Sequence, residues 1–384
     1  MNYNKRLDKL RGFMEKEKLT AVLLTDPINQ SYMTGFEIIT YSRPIFTLVT
    51  KNECILIVPG LEEKHAKLKA EYDRLFVYYE HPEKADQGTD PLALIIKCLQ
   101  ALKGERRLGI ESRSLPFELA SVLQRDNWEL VDVNSEMIKK RAIKDEKELE
   151  KIRQVCSLAV GSVQSAFRAL KVGITERDIE DAAASAFYQE ASYLYPDSFL
   201  ITRGMSPSGI ERTILPHVFS NLRRVELGDG LIITRITSLD GYKGECERTC
   251  FIGEPTTKQR ELFEVMVNAQ RAALDTIKAG VKASDVDTAA RSFIQKEGYG
   301  EYAVHRTGHS IGLAVHEAPF FRFDEHSILQ EGMTFTVEPG IYVPGIGGFR
   351  HSDTILVTKN GYEMLTECPR SIEELIFNPI NSRV

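Results

Sequence analysis

Apolar positions Leu7, Leu10, Phe13 and Met14 recur at helical spacing through residues 4–18, and the short apolar run 20–25 that follows ends at Asp26-Pro27. That predicts a helix leading into a buried strand. Two more apolar runs, 44–50 and 54–60, flank Lys51-Asn52-Glu53 and predict a hairpin. Residues 107–111 and 128–133 predict further strands, with a helix over 114–124 between them. Helices alternating with strands predict an α/β domain ending near residue 140. The charged stretch 139–154 marks the boundary, so the domains are read as 1–140 and 141–384. From Asp145 onward Leu149, Ile152, Cys156, Ala159, Val163 and Phe167 recur at three and four, one face of a long helix.

A weak repeat follows, in which residues 170–187 resemble 277–294, with Gly173 matching Gly280 and Asp178 matching Asp285. In both, a helix runs into a glycine stop and a second helix opens at a Thr or Ser with an Asp close behind, a near capping box. A length of 384 residues, 42% of them hydrophobic, fits two domains of a soluble enzyme. The formal charge of −6 offers no basic surface to neutralise phosphates, which argues against nucleic acid as a partner. The mixed-charge start has no apolar leader core, and no run of about 18 apolar residues follows, so no membrane partner and a cytoplasmic location are expected. Six cysteines without a Cys-x-x-Cys pair read as reduced thiols, with Cys246 and Cys250 as small buried residues on one strand face.

Chemistry concentrates in HRTGHSIGLAVHEAP at 305–319 and FTVEPGIYVPGIGGFRHSDTILV at 335–357, which carry four of the eight histidines. These two blocks, with PHVFSNLRRVELGDG at 216–230 and LDGYKGECERT at 239–249, resemble in order and spacing the signature of the pita-bread family. That family contains Xaa-Pro dipeptidases, methionine aminopeptidases and creatinase. The resemblance implies an α/β N-terminal domain followed by an α+β pita-bread catalytic domain with a pseudo-twofold internal repeat, and a cleft between its halves as the site.

Peptidases of the family hold two metal ions with two Asp eleven residues apart, a His, a Glu and a last Glu. Placed on this sequence, His309 and Glu338 match, the second Asp becomes Glu245, the first becomes Thr234, and the last Glu becomes Ser352. Each lost carboxylate removes a ligand and a charge that offsets the cation. No cofactor is therefore expected. The alternative is a single divalent metal on Glu245, His309 and Glu338 with an open water position.

Creatinase is the metal-free branch of the fold, and Glu247-Arg248-Thr249 and Gly308-His309-Ser310 resemble its blocks where the peptidases differ. The resemblance implies that Glu247 and Glu338 hold a cationic substrate group while His217 moves the proton, with His309 also catalytic. Glu247 is the candidate nucleophile if the reaction is of the ectoine hydrolase kind. His316 and Arg350 are expected to bind substrate. Arg43, eight residues after Gly35, has the spacing of a creatinase arginine that reaches into the neighbouring subunit's site, and Tyr41 falls where that enzyme has an aromatic residue. This implies a homodimer. His351 is expected to face away from Ser352 by strand alternation.

The expected function is hydrolysis of a carbon–nitrogen bond, amide, amidine or guanidino, in a cationic or zwitterionic small molecule without metal. Two alternatives stand beside it: an Xaa-Pro dipeptidase or aminopeptidase with a one-metal site, and a non-catalytic binding protein on the same fold.

Overall fold

The computed structural model describes residues 1–39 and 42–378. The chain divides into two compact units, Met1–Arg141 and Ala142–Val384.

The first unit is built on six strands: β1 (Ala21–Leu24), β2 (Phe46–Thr50), β3 (Cys54–Pro59), β4 (Arg74–Tyr78), β5 (Arg107–Ile110) and β6 (Glu129–Asp132). Their order is β4-β3-β2-β1-β5-β6, with β2 antiparallel to both β1 and β3 and the other pairs parallel. The helix Tyr3–Lys16, the 46–59 hairpin and the helix Phe117–Arg125 occupy the positions that periodicity indicates. Strand β4 has no alternation of apolar and polar residues to announce it, because its first four residues are exposed or half-buried. Helix Pro27–Thr34 is capped by Asp26 and stops at Gly35, whose φ of 68° suits a residue without a Cβ.

In the second unit the long helix Glu146–Ala169 starts at a capping box between Asp145 and Glu148 and buries Leu149, Ile152, Cys156, Ala159 and Val163. The repeat is visible as two helix pairs, Glu146–Ala169 with Glu176–Leu194 and Thr257–Thr276 with Ala283–Lys296, each turning at a glycine of positive φ, Gly173 or Gly280. The capping box holds only in the first copy, where Thr175 and Asp178 exchange bonds. The second copy opens at Lys282 with no side-chain cap.

Both pairs accompany one sheet made of β7 (Leu200–Met205), β8 (Gly230–Leu239), β9 (Tyr242–Ile252), β10 (Gly308–Ser310), β11 (Glu317–Phe321), β12 (Thr334–Val337) and, after a separate hairpin of β13 (Gly340–Val343) and β14 (Gly347–Arg350), β15 (Ser352–Val357). The order β11-β10-β12-β15-β9-β8-β7 sets β7, β8 and β9 of the first half beside β15, β12, β10 and β11 of the second, so the halves meet at the β9/β15 pair. That is the pseudo-twofold arrangement of the pita-bread fold.

One turn sets the register on which the site depends. Asp240 and Gly241 both have positive φ, 49° and 85°, which is the two-residue mirror-image turn that matches strand twist. It puts Thr234 opposite Glu247 and Ile236 opposite Glu245. A slip of one residue would turn both glutamates into the core. Cys246 and Cys250, on the other face of β9, join the hydrophobic core, and all six cysteines are free and buried. Among the described residues no helix is long and apolar enough to cross a membrane.

Candidate active site

A cavity of about 690 Å³ opens over the sheet of the second unit, with Glu245, Glu247, His309 and Glu338 on its floor and His217, His305, His316 and Arg350 around them. Glu245 and Glu247 reach it together because they sit two apart on β9. His309 comes from β10, and Glu338 follows the last residue of β12. Gly308 lets these two strands close, since a Cβ there would lie 2.0 Å from the Thr336 carbonyl oxygen.

Glu245, His309 and Glu338 each offer a ligand atom, and the three atoms lie within 4.8 Å of one another. His309 Nδ1 faces the Ser310 carbonyl at 3.2 Å, so in the neutral ring the proton sits on Nδ1 and the Nε2 lone pair is left facing the cavity. Nε2 is buried without a hydrogen-bond partner, although Glu338 Oε1 lies 3.1 Å away, off the line a hydrogen bond would need. A buried, unbonded imidazole nitrogen facing two carboxylates suits a divalent cation. One ion fits these donors.

A second does not. The Thr234 hydroxyl donates to Glu247 at 2.8 Å and the Ser352 hydroxyl to Glu245 at 2.9 Å, so both replacements are spent as hydrogen-bond donors. Glu247 is further held by the Arg350 guanidinium through both carboxylate oxygens, with Nη2 to Oε1 at 2.9 Å. Arg350 also donates to Tyr342 at 2.9 Å and to the Pro216 carbonyl at 3.2 Å. A fixed positive charge thus stands where a second cation's ligands would be.

The electrostatics follow from this crowding. Burial, then the charge of Glu338, pushes the Glu245 carboxyl up to about 8. Burial would also raise Glu338, but the positive charge of His309, 3.1 Å away, with Arg350 behind it, brings it down to about 2. Burial opposes the charged form of His309, yet Glu338 outweighs it and raises its pKa. His316, whose ring meets that of His309 edge-on at 4.2 Å, is lowered to about 4 by dehydration of the ring and then by its cationic neighbours His309 and Arg306.

Most residues singled out in the sequence therefore meet in one cavity: His217, Glu245, Glu247, His309, His316, Glu338 and Arg350. Arg350, expected to bind substrate, lines the cavity, is paired with Glu247 and places its positive charge near Glu338. A carboxylate held by two guanidinium bonds is a weakened nucleophile, which bears on the role expected of Glu247. His351 does face away from Ser352, packing edge-to-face on Phe263 at 5.1 Å with neither ring nitrogen hydrogen-bonded. In the N-terminal unit Arg43 donates to Glu80 at 2.7 Å, both side chains exposed, and Tyr41 lies outside the described residues.

Sequence reasoning missed Tyr342, which links Arg350 to His305 Nε2 at 2.8 Å, and Arg203 and Arg306 on the cavity wall. Arg306 stands inside a block already rich in candidates. Nothing near Arg203 in the sequence marks it.

Comparison with known proteins extends the likeness over the whole chain. Residues 150–359 match the model of metallopeptidase family M24, and residues 6–143 that of the creatinase/prolidase N-terminal domain. The Xaa-Pro dipeptidase of Pyrococcus horikoshii is 33% identical over 376 residues, 96% of this chain and 99% of its own. The Xaa-Pro dipeptidase of Lactobacillus helveticus is 30% identical over 96% of this chain and 98% of its own. The crystal structure of the prolidase from Pyrococcus horikoshii OT3 superposes with a TM-score of 0.84 at 33% identity, covering 96% and 99% of the two chains. The Xaa-Pro dipeptidase from Bacillus anthracis superposes at 0.85 with 26% identity, covering 98% and 100%. These relatives favour the peptidase alternative over the metal-independent, creatinase-like reading. The chain belongs to metallopeptidase family M24, and it is a hydrolase acting on carbon–nitrogen bonds of the peptide kind.

Proposed function

We propose that this protein is a cytoplasmic, homodimeric dipeptidase that hydrolyses the peptide bond of Xaa-Pro or similar small substrates, using one divalent ion where its relatives' family pattern has donors for two. The observation that carries this reading is the cluster of Glu245, His309 and Glu338 around the buried, unbonded His309 Nε2. Bound there, a divalent cation supplies Lewis acidity towards a carbonyl oxygen.

The chain's own residues do the rest. His217, on the cavity wall, takes the proton from the attacking water and returns it to the departing nitrogen. His316, neutral at pH 7, orients the substrate by a hydrogen bond. The Glu247–Arg350 pair fills the place of the second centre and keeps the floor from accumulating uncompensated negative charge. In the homodimer, Arg43 reaches the neighbour's site, as the creatinase resemblance implies.

The test is elemental mass spectrometry of the protein after dialysis against zinc, manganese or cobalt, paired with release of proline from Xaa-Pro dipeptides. One ion per chain and turnover lost with chelator are expected. No retained ion together with chelator-insensitive hydrolysis of amidines or guanidino compounds would return the metal-independent reading.

A further inference from the structure

The charged groups of the cavity do not balance. Its walls and floor carry Glu245, Glu247 and Glu338 against Arg203, Arg306, Arg322 and Arg350. Arg350 neutralises Glu247, and Arg322 is paired with Asp324 outside the cavity. A divalent ion offsets Glu245 and Glu338. What remains is two guanidinium groups, Arg203 and Arg306. Among the described residues neither has a carboxylate within ion-pair distance or a side-chain hydrogen bond.

Each is held by a ring instead. The Arg203 guanidinium carbon lies 4.7 Å from the centroid of Phe219, and that of Arg306 lies 4.3 Å from the centroid of Phe320. Stacking fixes the plane of a guanidinium and leaves its edge, with the N–H fork, open to an acceptor. That edge is what a carboxylate takes bidentately. Arg306 is half-buried in the cavity wall, where dehydration lowers its pKa against the opposing charge of Glu338. A partly dehydrated guanidinium without an acceptor is unfavourable until a ligand supplies one.

We infer that the substrate is a dipeptide-sized molecule with two anionic groups, one carboxylate on Arg306 and a second, such as an acidic side chain, on Arg203. This rests on the one-ion peptidase reading and replaces the cationic or zwitterionic substrate expected from the sequence. A neutral dipeptide would satisfy one arginine, leave the other unpaired, and bring an ammonium group into a cavity with a net charge of the same sign. A second carboxylate gives the other arginine its acceptor and makes the ligand's net charge opposite to that of the cavity, offsetting the ammonium group.

The experiment is isothermal titration calorimetry of the zinc-dialysed full chain with glutarate, with its monoamide glutaramate, and with pentane-1,5-diamine. Glutarate should bind at least about tenfold more tightly than glutaramate, the order of one charge-assisted bidentate contact, and the diamine should not bind. In Arg306→Met and in Arg203→Met the preference for glutarate should fall below about twofold, while Arg203→Lys and Arg306→Lys, which keep the charge, retain part of it. Equal binding of the two acids, no binding of any probe, a preference that survives both Met variants, or tighter binding of the diamine would overturn the inference. Ion content of the same samples is read separately, so a failed one-ion reading is distinguishable from a failed assignment of the arginines.

Discussion

The Glu247–Arg350 pair decides between two chemistries, and a double-mutant cycle measures it. Its side chains are 3% and 5% exposed, and the guanidinium meets both carboxylate oxygens. Arg350→Met would leave Glu247 with the Thr234 hydroxyl as its remaining hydrogen bond, a buried carboxylate without a counter-charge. Breaking one side of such a pair costs about 3–5 kcal/mol. Glu247→Leu leaves Arg350 with Tyr342, the Pro216 carbonyl and only the more distant charge of Glu338, a loss of the same order. In the double variant neither charge is stranded, so it should cost less than either single change, with a coupling energy of at least about 3 kcal/mol. Urea unfolding followed by far-UV circular dichroism is the assay, because the single tryptophan, Trp128, lies in the N-terminal unit and its fluorescence does not report on this site. Costs that simply add to within about 0.5 kcal/mol would refute the reasoning. They would also free Glu247 for the nucleophilic role that the metal-independent reading requires.

Saturating the site with zinc at about a hundred times its dissociation constant should stabilise the protein by about 2.7 kcal/mol, read as a rise in melting temperature that His309→Ala abolishes. An equal rise in the variant would place the ion elsewhere. The triple change Thr234→Asp, Glu247→Thr, Ser352→Glu should raise ion content from one to two per chain by elemental mass spectrometry. A content that stays at one would show that Arg350, and not the missing carboxylates, blocks the second ion. Gly308→Ala, whose Cβ would meet the Thr336 carbonyl oxygen at 2.0 Å, should push β10 from β12 and lower both the melting temperature and ion affinity. An unchanged affinity would show that His309 does not depend on that close approach.

Periodicity and motif were enough to place the elements on which the site stands. The apolar stripe from Leu149 to Val163 is the buried face of its helix, and His351 and Ser352 lie on opposite faces of the chain as alternation requires. The candidate ligands Glu245, His309 and Glu338 were also legible, because a motif fixes residue type and spacing. Strand β4 was not, since its half-buried residues show no period.

Tertiary structure alone decided the partners. Arg350 and Glu247 are 103 residues apart, and they meet because β14 ends beside β9. The free state of His309 Nε2, and the stacking of Arg203 and Arg306 on Phe219 and Phe320, likewise depend on where backbone and rings from distant segments come to rest. Local sequence determines which face a side chain occupies, because helix and strand have fixed periods. What meets it across that face, and hence whether a charge is spent or free, is settled by long-range packing.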